Sequence, residues 1–277
     1  MSVALTGGAF QVFADLLRSR SGLTIGPDKL YLLETRLAPI VKREALRDLA
    51  ALAFRLRGPA AEALEREVVE AMTTNESFFF RDETPFSHFR TKALPRLLAA
   101  RPVGAPIRIW SAAAASGQEA YSLAMIMADS GARDRGIEIL GTDIAREQLA
   151  RAREGLYTQF EVQRGLPIQM LMKHFRKEDG GNWRITAPVR AMVRFREWNL
   201  LADLAPLGRF DVVFCRNVLI YFDQLTKSRV LDAIAGQLRD DGLLYLGGAE
   251  TVLGVSTRFA PLGADRAAYA KVSTPPI

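Results

Sequence analysis

The stretch "RIWSAAAASGQEAYSLAM", residues 108–125, decides the fold class. It begins like a buried β-strand, and it ends with the apolar spacing of an amphipathic helix. Between the two lies a run of alanine, serine and glycine, whose small side chains would let a ligand approach the backbone closely. A strand, a tight turn and a helix in this order are typical of the first unit of an open parallel sheet.

The chain beyond this stretch repeats the alternation. Strand candidates "IEILGTDI", "RFREWNL", "FDVVFCRN" and "LLYLGG" are interspersed with helix candidates "REQLARAREG" and "DQLTKSRVLDAIAGQL". This pattern predicts an α/β fold with a doubly wound, mainly parallel sheet. We expect a turn at "DDG", residues 240–242, a hairpin at the sheet edge from "FAPLGADRAAYAKV", and a disordered tail "STPPI".

Two regions depart from the alternation. Residues 1–80 carry only helical apolar spacing, with Phe10, Phe13 and Leu17 on one face of a helix that should end near Gly22. They predict a small all-helical N-terminal domain and linker, ahead of an α/β domain over 81–277. Within that domain, "DGGN" and the apolar residues Trp183, Ile185, Val189 and Val193 around it predict a small antiparallel β-subdomain inserted at about 157–192.

Composition limits the class of protein. The 277 residues carry a net charge of +6, and a basic surface favours nucleic acid, an anionic membrane or a carboxylate-rich protein as partner. The only cysteine, Cys215, excludes an internal disulfide and suits a reducing compartment. No signal-peptide pattern and no apolar run of about 20 residues is present, so we expect a cytoplasmic protein without membrane insertion.

An acidic residue follows each of the first two predicted strands. Glu119 at a helix start would attract an ammonium group and repel a pyrophosphate, and neither a G-x-G-x-x-G fingerprint nor a P-loop lysine is present. Asp143 is placed to accept hydrogen bonds from a ribose. Helix capping is the alternative for both, through a Ser116–Glu119 capping box and an Asp143 N-cap. S-adenosylmethionine combines an ammonium group and a ribose without a phosphate.

Five stretches occur in an order that resembles a known family: "TTNESFFFRD", "RIWSAAAASGQEAYSLAM", "GTDIA", "WNL" and "FDVVFCRNVLIYFD". Together they resemble the chemotaxis receptor methyltransferases, the CheR family, over nearly the whole chain. The resemblance implies a class I, Rossmann-like methyltransferase domain. It also implies methyl transfer from S-adenosylmethionine to glutamate side chains of chemoreceptors (methyl-accepting chemotaxis proteins). The products would be glutamate methyl esters and S-adenosylhomocysteine, and the role would be adaptation in chemotaxis signalling.

The resemblance assigns roles to individual residues. The cofactor-binding residues that it implies are Asn75, Ser77, Arg81, Glu119, Asp143, Asn199, Leu200, Arg216 and Asn217. Tyr221 would stand near the transferred methyl, with its packing under the sheet as the alternative, and Arg81 is the second candidate for a catalytic role. The sequence departs from the family pattern at Ser77 for threonine, Gln118 for glutamate and Ala120 for proline.

The chemistry needs no general base, because a free glutamate with a pKa of about 4.3 is already ionised. The only histidines, His88 and His174, lie outside every motif, and we expect Cys215 to be buried packing. No metal site is expected. A basic helix with Arg36, Lys42, Arg43 and Arg47 could dock the acidic receptor, although such charges usually form a solvated face. Peptide binding by the β-subdomain is left open, and the expected state is a monomer.

Two other functions remain open. The basic charge fits a nucleic-acid methyltransferase, although no Asn/Asp-Pro-Pro-Tyr motif of the kind that holds a flipped base is present. Another protein could also be the methyl acceptor. The altered loop after the first strand also fits a non-catalytic regulator that binds S-adenosylmethionine without turnover.

Overall fold

The computed structural model describes residues 7–131, 136–263 and 268–272. By its internal contacts the chain divides into two units. The first comprises Met1–Thr74 and Tyr221–Thr226, and the second comprises Asn75–Ile220 and Lys227–Ile277. None of the helices in the described ranges is both long and apolar enough to span a bilayer.

The first unit is helical, as predicted. Its helices are α1 (Gly7–Ser21), a 3₁₀ turn (Pro27–Lys29), α2 (Leu30–Arg43), α3 (Leu49–Leu56) and α4 (Glu62–Met72). Gly22 ends α1 in the left-handed conformation, with φ of 78°. Helix α3 was not predicted from the sequence, although Asp48 is a typical N-cap and its carboxylate accepts the Ala51 N–H at 2.8 Å. These helices bury one shared core of apolar side chains: Phe13, Leu17, Leu33, Leu37, Leu52 and Val68.

The main sheet of the second unit has seven strands in the order β6-β2-β1-β7-β8-β10-β9. They are β1 (Ile107–Ala112), β2 (Ile137–Asp143), β6 (Val193–Glu197), β7 (Phe210–Cys215), β8 (Leu238–Tyr245), β9 (Phe259–Pro261) and β10 (Ala268–Lys271). The first five strands in chain order are parallel, and β9 and β10 form an antiparallel hairpin at the edge. The predicted doubly wound sheet and its edge hairpin are confirmed. The tail "STPPI" lies outside the described residues.

Helices connect these strands in the second unit. They are α5 (Thr84–His88), a π-helical segment (Phe89–Ala93), α6 (Leu94–Ala100), α7 (Gln118–Asp129), α8 (Arg146–Glu154), α9 (Gln159–Gln163), α10 (Ile168–His174), α11 (Ala187–Arg190) and α12 (Gln224–Gln237), whose first turn belongs to the first unit. Short 3₁₀ helices lie at Asp179–Gly181, Ala205–Leu207 and Leu219–Tyr221. Strands β1, β2 and β7 are neighbours, so their carboxyl ends meet at one edge.

The prediction of a turn at 240–242 was wrong, because these residues lie within a strand. Strand β8 begins at Leu238 and runs through "DDG", which forms a bulge. Phe210 of β7 pairs with Leu238 and Val212 pairs with Leu243, so β8 carries extra residues between the two pairs. A Cβ at Gly242 would lie 2.9 Å from the Arg239 carbonyl, so this bulge requires glycine.

The inserted subdomain holds a second, antiparallel sheet of β3 (Leu156–Tyr157), β5 (Trp183–Ile185) and β4 (Phe175–Lys177), in that order. The predicted small antiparallel sheet is confirmed. Two of the residues taken as its strand positions are elsewhere, because Val189 lies in α11 and Val193 begins β6 of the main sheet. Helices α9 and α10 fill the connection between β3 and β4.

Asp211 ties the amino ends of β1 and β7 together. Its side chain has no exposed surface, and it accepts hydrogen bonds from the Arg108 backbone N–H at 2.8 Å and from Arg101 Nε at 2.7 Å. Arg239 Nε lies 3.2 Å away. A buried carboxylate with this set of donors stabilises the sheet only while both its oxygens accept.

We predict that Asp211→Asn lowers the free energy of unfolding by about 2–3 kcal/mol, because its amide turns an NH₂ group toward donors. Denaturant titration measures this change. The control is Asp240→Asn, which removes only an exposed pair with Lys271 and should leave the midpoint unchanged. An Asp211→Asn protein as stable as the wild type would contradict the prediction.

Candidate functional site

The loop after β1 has an unusual backbone. Ala113 and Ala115 have φ angles of 57° and 45°, a left-handed conformation that is unfavourable for alanine. Gly117 has φ of 91°, and a Cβ there would lie 2.9 Å from the Ala152 Cβ, so only glycine fits. The Tyr157 hydroxyl donates to the Ser116 carbonyl at 2.7 Å and supports the loop. Strain of this kind is concentrated at binding sites.

Glu119 lies in the first turn of α7 and points toward β1. One carboxylate oxygen accepts the Ser111 hydroxyl at 2.8 Å, and the other accepts Arg216 Nη1 at 3.0 Å. The capping-box alternative is wrong, because Gly117 is the N-cap without a side-chain bond and the Ser116 hydroxyl donates to the Gln118 side chain. Burial raises the pKa of the Glu119 carboxyl, and the charge of Arg216 opposes this rise.

Arg216 follows β7 and is almost completely buried, with 1% of its side chain exposed. Besides Glu119, its guanidinium donates to the Arg81 carbonyl at 2.7 Å and to an Asp82 carboxylate oxygen at 2.9 Å. Its Nε is buried without a hydrogen-bond partner among the described residues. Arg216 therefore joins the first motif, α7 and the end of β7.

Asp143 ends β2 and is 8% exposed. One oxygen accepts the Ala115 backbone N–H at 2.8 Å, and the other accepts the Ala145 N–H at 2.9 Å. The N-cap alternative is wrong, because Ala145 is the N-cap of α8. Asp143 therefore holds the backbone of the β1 loop at the carboxyl end of β2.

The first motif, residues 75–81, packs against the inserted subdomain. Glu76 pairs with Arg164 at 2.5 Å, and the guanidiniums of Arg164 and Arg81 lie 4.3 Å and 5.4 Å from the centre of the Phe78 ring. Phe79 is fully buried and contacts two aromatic rings of the subdomain edge to face. Arg81 also donates to the Glu76 carbonyl at 3.0 Å. Asn75 and Ser77 are half-buried in the same segment.

The "WNL" motif follows β6, next to β2. The Trp198 backbone N–H donates to the Asp143 carbonyl at 3.0 Å, which places this motif beside the acidic end of β2. Asn199 uses its side-chain oxygen to accept the Leu201 N–H at 2.9 Å, and Leu200 is buried. The structure thus brings Glu119, Asp143, Arg216 and the "WNL" backbone to one edge of the sheet.

Tyr221 is half-buried and belongs to the first unit, and its carbonyl accepts the Thr24 N–H at 2.9 Å. Its role near the transferred methyl stays a prediction.

Glu250 was not predicted from the sequence, and its buried carboxylate accepts the Asn217 N–H at 2.8 Å. Asn217 itself has φ of 58°. The only sequence signal was a charged residue just after an apolar strand, which is too common to be informative.

The basic residues of the first unit are largely paired. Arg36 donates to the carbonyls of Met72 at 2.7 Å and Thr73 at 2.9 Å, so it caps the end of α4. Arg43 forms an ion pair with Glu67. Arg47 is 87% exposed and contacts only its neighbour Asp48 within the described ranges. Lys42 is exposed. The predicted basic face is therefore reduced to Lys42 and Arg47.

Known families match both units. The model of the CheR methyltransferase all-alpha domain matches residues 8–73, and that of the CheR methyltransferase SAM binding domain matches residues 75–268.

Curated relatives match over most of their length. A chemotaxis protein methyltransferase Cher2 of Pseudomonas putida is 35% identical over 90% of this chain and 92% of its own. Chemotaxis protein methyltransferase 1 of Pseudomonas aeruginosa is 38% identical over 88% of this chain and 90% of its own. A chemotaxis protein methyltransferase of Vibrio parahaemolyticus is 36% identical over 93% and 94%. The chain belongs to the CheR family of S-adenosylmethionine-dependent methyltransferases.

Proposed function

We propose that this methyltransferase modifies glutamate side chains of chemoreceptors, and that the residues gathered around Arg216 hold its cofactor. The observation that carries the proposal is the buried Glu119–Arg216 pair at the carboxyl end of β1, with Asp143 at the end of the neighbouring strand. The named activity of the relatives supports it. The role is adaptation in chemotaxis signalling, in the cytoplasm.

The charges at this edge fit S-adenosylmethionine. The chain carries +6 overall, but three carboxylates meet two guanidiniums at this edge. The acids are Asp82, Glu119 and Asp143, and the bases are Arg81 and Arg216. A ligand with a sulfonium and an ammonium group suits this surplus of negative charge. The buried Arg216 Nε–H has no hydrogen-bond partner among the described residues, and in this proposal it donates to the ligand's carboxylate.

Chemistry assigns the contacts of Glu119 and Asp143, and the resemblance to the family's motifs assigns the others. Glu119 binds the amino group, Asp143 binds the ribose hydroxyls, and Asn199 and Leu200 line the adenine region. Asn75, Ser77, Arg81 and Asn217 complete the cofactor site. The small side chains of the β1 loop let the ligand reach the backbone.

Catalysis by these residues is positioning. The bound cofactor supplies a methyl group on a positively charged sulfur, and when an ionised glutamate oxygen forms the new C–O bond, the C–S electron pair returns to sulfur. The chain's own task is to align the acceptor and exclude water, because no proton has to move. Tyr221 orients the acceptor carboxylate through its hydroxyl, and Arg81 attracts its charge. Because Glu119 and Arg216 are buried and bonded to each other, their charges are held in place before the ligand binds.

The receptor is recognised by charge in this proposal. We assign the acidic helical partner to Lys42 and Arg47, which are exposed, and Arg47 pairs only with the adjacent Asp48 among the described residues. Arg36 and Arg43 are held by partners on α4 and its end. Exposed charges of this kind raise association rates more than affinity.

The proposal predicts a base-labile methyl ester on receptor protein. The enzyme is incubated with methyl-labelled S-adenosylmethionine and membranes that contain chemoreceptors, and methanol released by base is counted. Membranes without chemoreceptors are the control. Label in nucleic acid, or a base-stable protein label, would overturn the glutamate assignment, and saturable binding without transfer would indicate a regulator.

Asp143→Ala should weaken S-adenosylhomocysteine binding about 10–100-fold, because hydrogen bonds to the charged group are lost. Calorimetry measures the affinity. Part of any loss could come from the β1 loop, since Ala115 loses its acceptor. Tyr157→Phe is the matched control, because it removes a bond to the same loop at Ser116 without removing a charge, and it should cost less than about threefold. Equal losses in both variants would remove Asp143 from the ribose site.

Affinity for S-adenosylmethionine should fall as the pH is lowered through the raised pKa of Glu119. Protonation of this carboxyl removes its attraction for the ligand's amino group, which stays protonated below about pH 7. Between that pKa and about pH 7 the affinity should be constant, because both charged groups keep their charge. Glu119→Gln, which is neutral at every pH, should bind more weakly with no such fall. A wild-type affinity independent of pH would contradict the assignment.

A further inference from the structure

Glu250 is a buried carboxylate, and its hydrogen-bond donors among the described residues are all backbone N–H groups. Its donors are the N–H groups of five residues at 2.7–3.3 Å: Asn217, Val218, Leu219, Ile220 and Gly247. One oxygen serves the N–H groups of 218–220, and the other serves those of 217 and 247. Four successive amides therefore converge on one side chain.

Successive N–H groups that point to one place form a concavity for an anion. Here the concavity begins at Asn217, in the left-handed conformation with φ of 58°, and the chain fills it with its own Glu250 carboxylate. A carboxylate offers two acceptor oxygens and no donor, whereas an amide would offer one oxygen and an NH₂ group. Only the acid satisfies all these donors at once.

The segment 217–220, which Glu250 holds, lies next to the residues assigned to the cofactor. Residues 217–220 follow Arg216 and the end of β7, and Gly247 follows the end of β8. The carboxylate therefore joins the ends of two neighbouring parallel strands at the edge where the cofactor residues meet. The backbone at Asn217 sets the direction in which its own side chain and that of Arg216 leave the strand.

Close packing at Gly247 also holds the Glu250 carboxylate and Asn217 in place. A Cβ at this position would lie 2.8 Å from the Glu250 carboxylate oxygen and 2.8 Å from Asn217 Nδ2. Such distances are too short for a real Cβ, so even one methyl group would push the carboxylate and the asparagine apart. The carboxylate, Asn217 and Gly247 thus form one close-packed unit.

We infer that Glu250 is a positioning residue of the S-adenosylmethionine site, which acts through the backbone of Asn217–Ile220 to hold Arg216 and Asn217 in their binding geometry. The inference rests on the proposed assignment of those two residues to the cofactor. Glu250 itself does not touch the ligand in this arrangement. Its loss should therefore raise KM for the cofactor.

The test compares two buried carboxylates of the second unit. Glu250→Gln has nearly the same volume but loses acceptors, and we expect it to bind S-adenosylhomocysteine at least about tenfold more weakly by calorimetry. Asp211→Asn is the matched control, since Asp211 lies at the opposite end of β7 and also accepts a backbone N–H. It should lower the melting temperature while changing affinity less than about threefold.

Gly247→Ala is the second variant, in which the carboxylate is kept but displaced, and it should lose affinity in the same direction. If Glu250→Gln does not fold, Gly247→Ala decides. Wild-type affinity in the folded variants would overturn the inference, as would equal losses in Asp211→Asn, which would show a general effect of instability.

The outcome is separable from that of the proposed function. Binding of S-adenosylhomocysteine reports on Glu250 alone, whichever acceptor the enzyme methylates. A failed methyl-ester assay with weakened binding in Glu250→Gln would overturn the substrate and keep the positioning role. If the wild type forms the ester and the Glu250→Gln variant binds S-adenosylhomocysteine normally, the positioning role is overturned and the substrate is kept.

Discussion

The buried guanidinium of Arg216 is the constraint on which the second unit's site depends. It carries a charge that cannot remain unpaired inside the protein, because an isolated buried ion costs several kcal/mol. Two separate segments meet this need after β7: the Arg81 carbonyl with the Asp82 carboxylate, and Glu119 at the start of α7. Each is thereby held at the carboxyl edge of the sheet, where parallel strands leave a crevice.

The charge at this edge of the sheet differs in sign from the net charge of the chain. The chain as a whole is basic, with a net charge of +6, yet the groups gathered here are mostly acidic. Two of these acids hold the backbone at this edge, because Asp143 accepts from the β1 loop and Glu250 accepts from the turn after β7. A change in either carboxylate therefore alters the geometry of a loop at the carboxyl end of the sheet.

Sequence reasoning predicted the elements better than the contacts. The alternation of apolar strands and helices gave β1, β2 and β7 correctly, because their periodicity and flanking turns are local signals. It misplaced the turn at 240–242 and missed α3, since the first depends on pairing with β7 and the second is a short helix. Both helix-capping alternatives proved wrong for a tertiary reason: Glu119 and Asp143 bond to residues that lie on other elements.

The sequence by itself determined the fold class and the family, because these follow from order, spacing and residue type along the chain. It also picked out Glu119 and Asp143, since strand ends of a parallel sheet are predictable places for a site. Only the tertiary structure decided that Arg36 caps a helix and that Glu250 gathers four successive amides. A hydrogen bond depends on distance in space, and residues far apart in the chain leave no local trace of it.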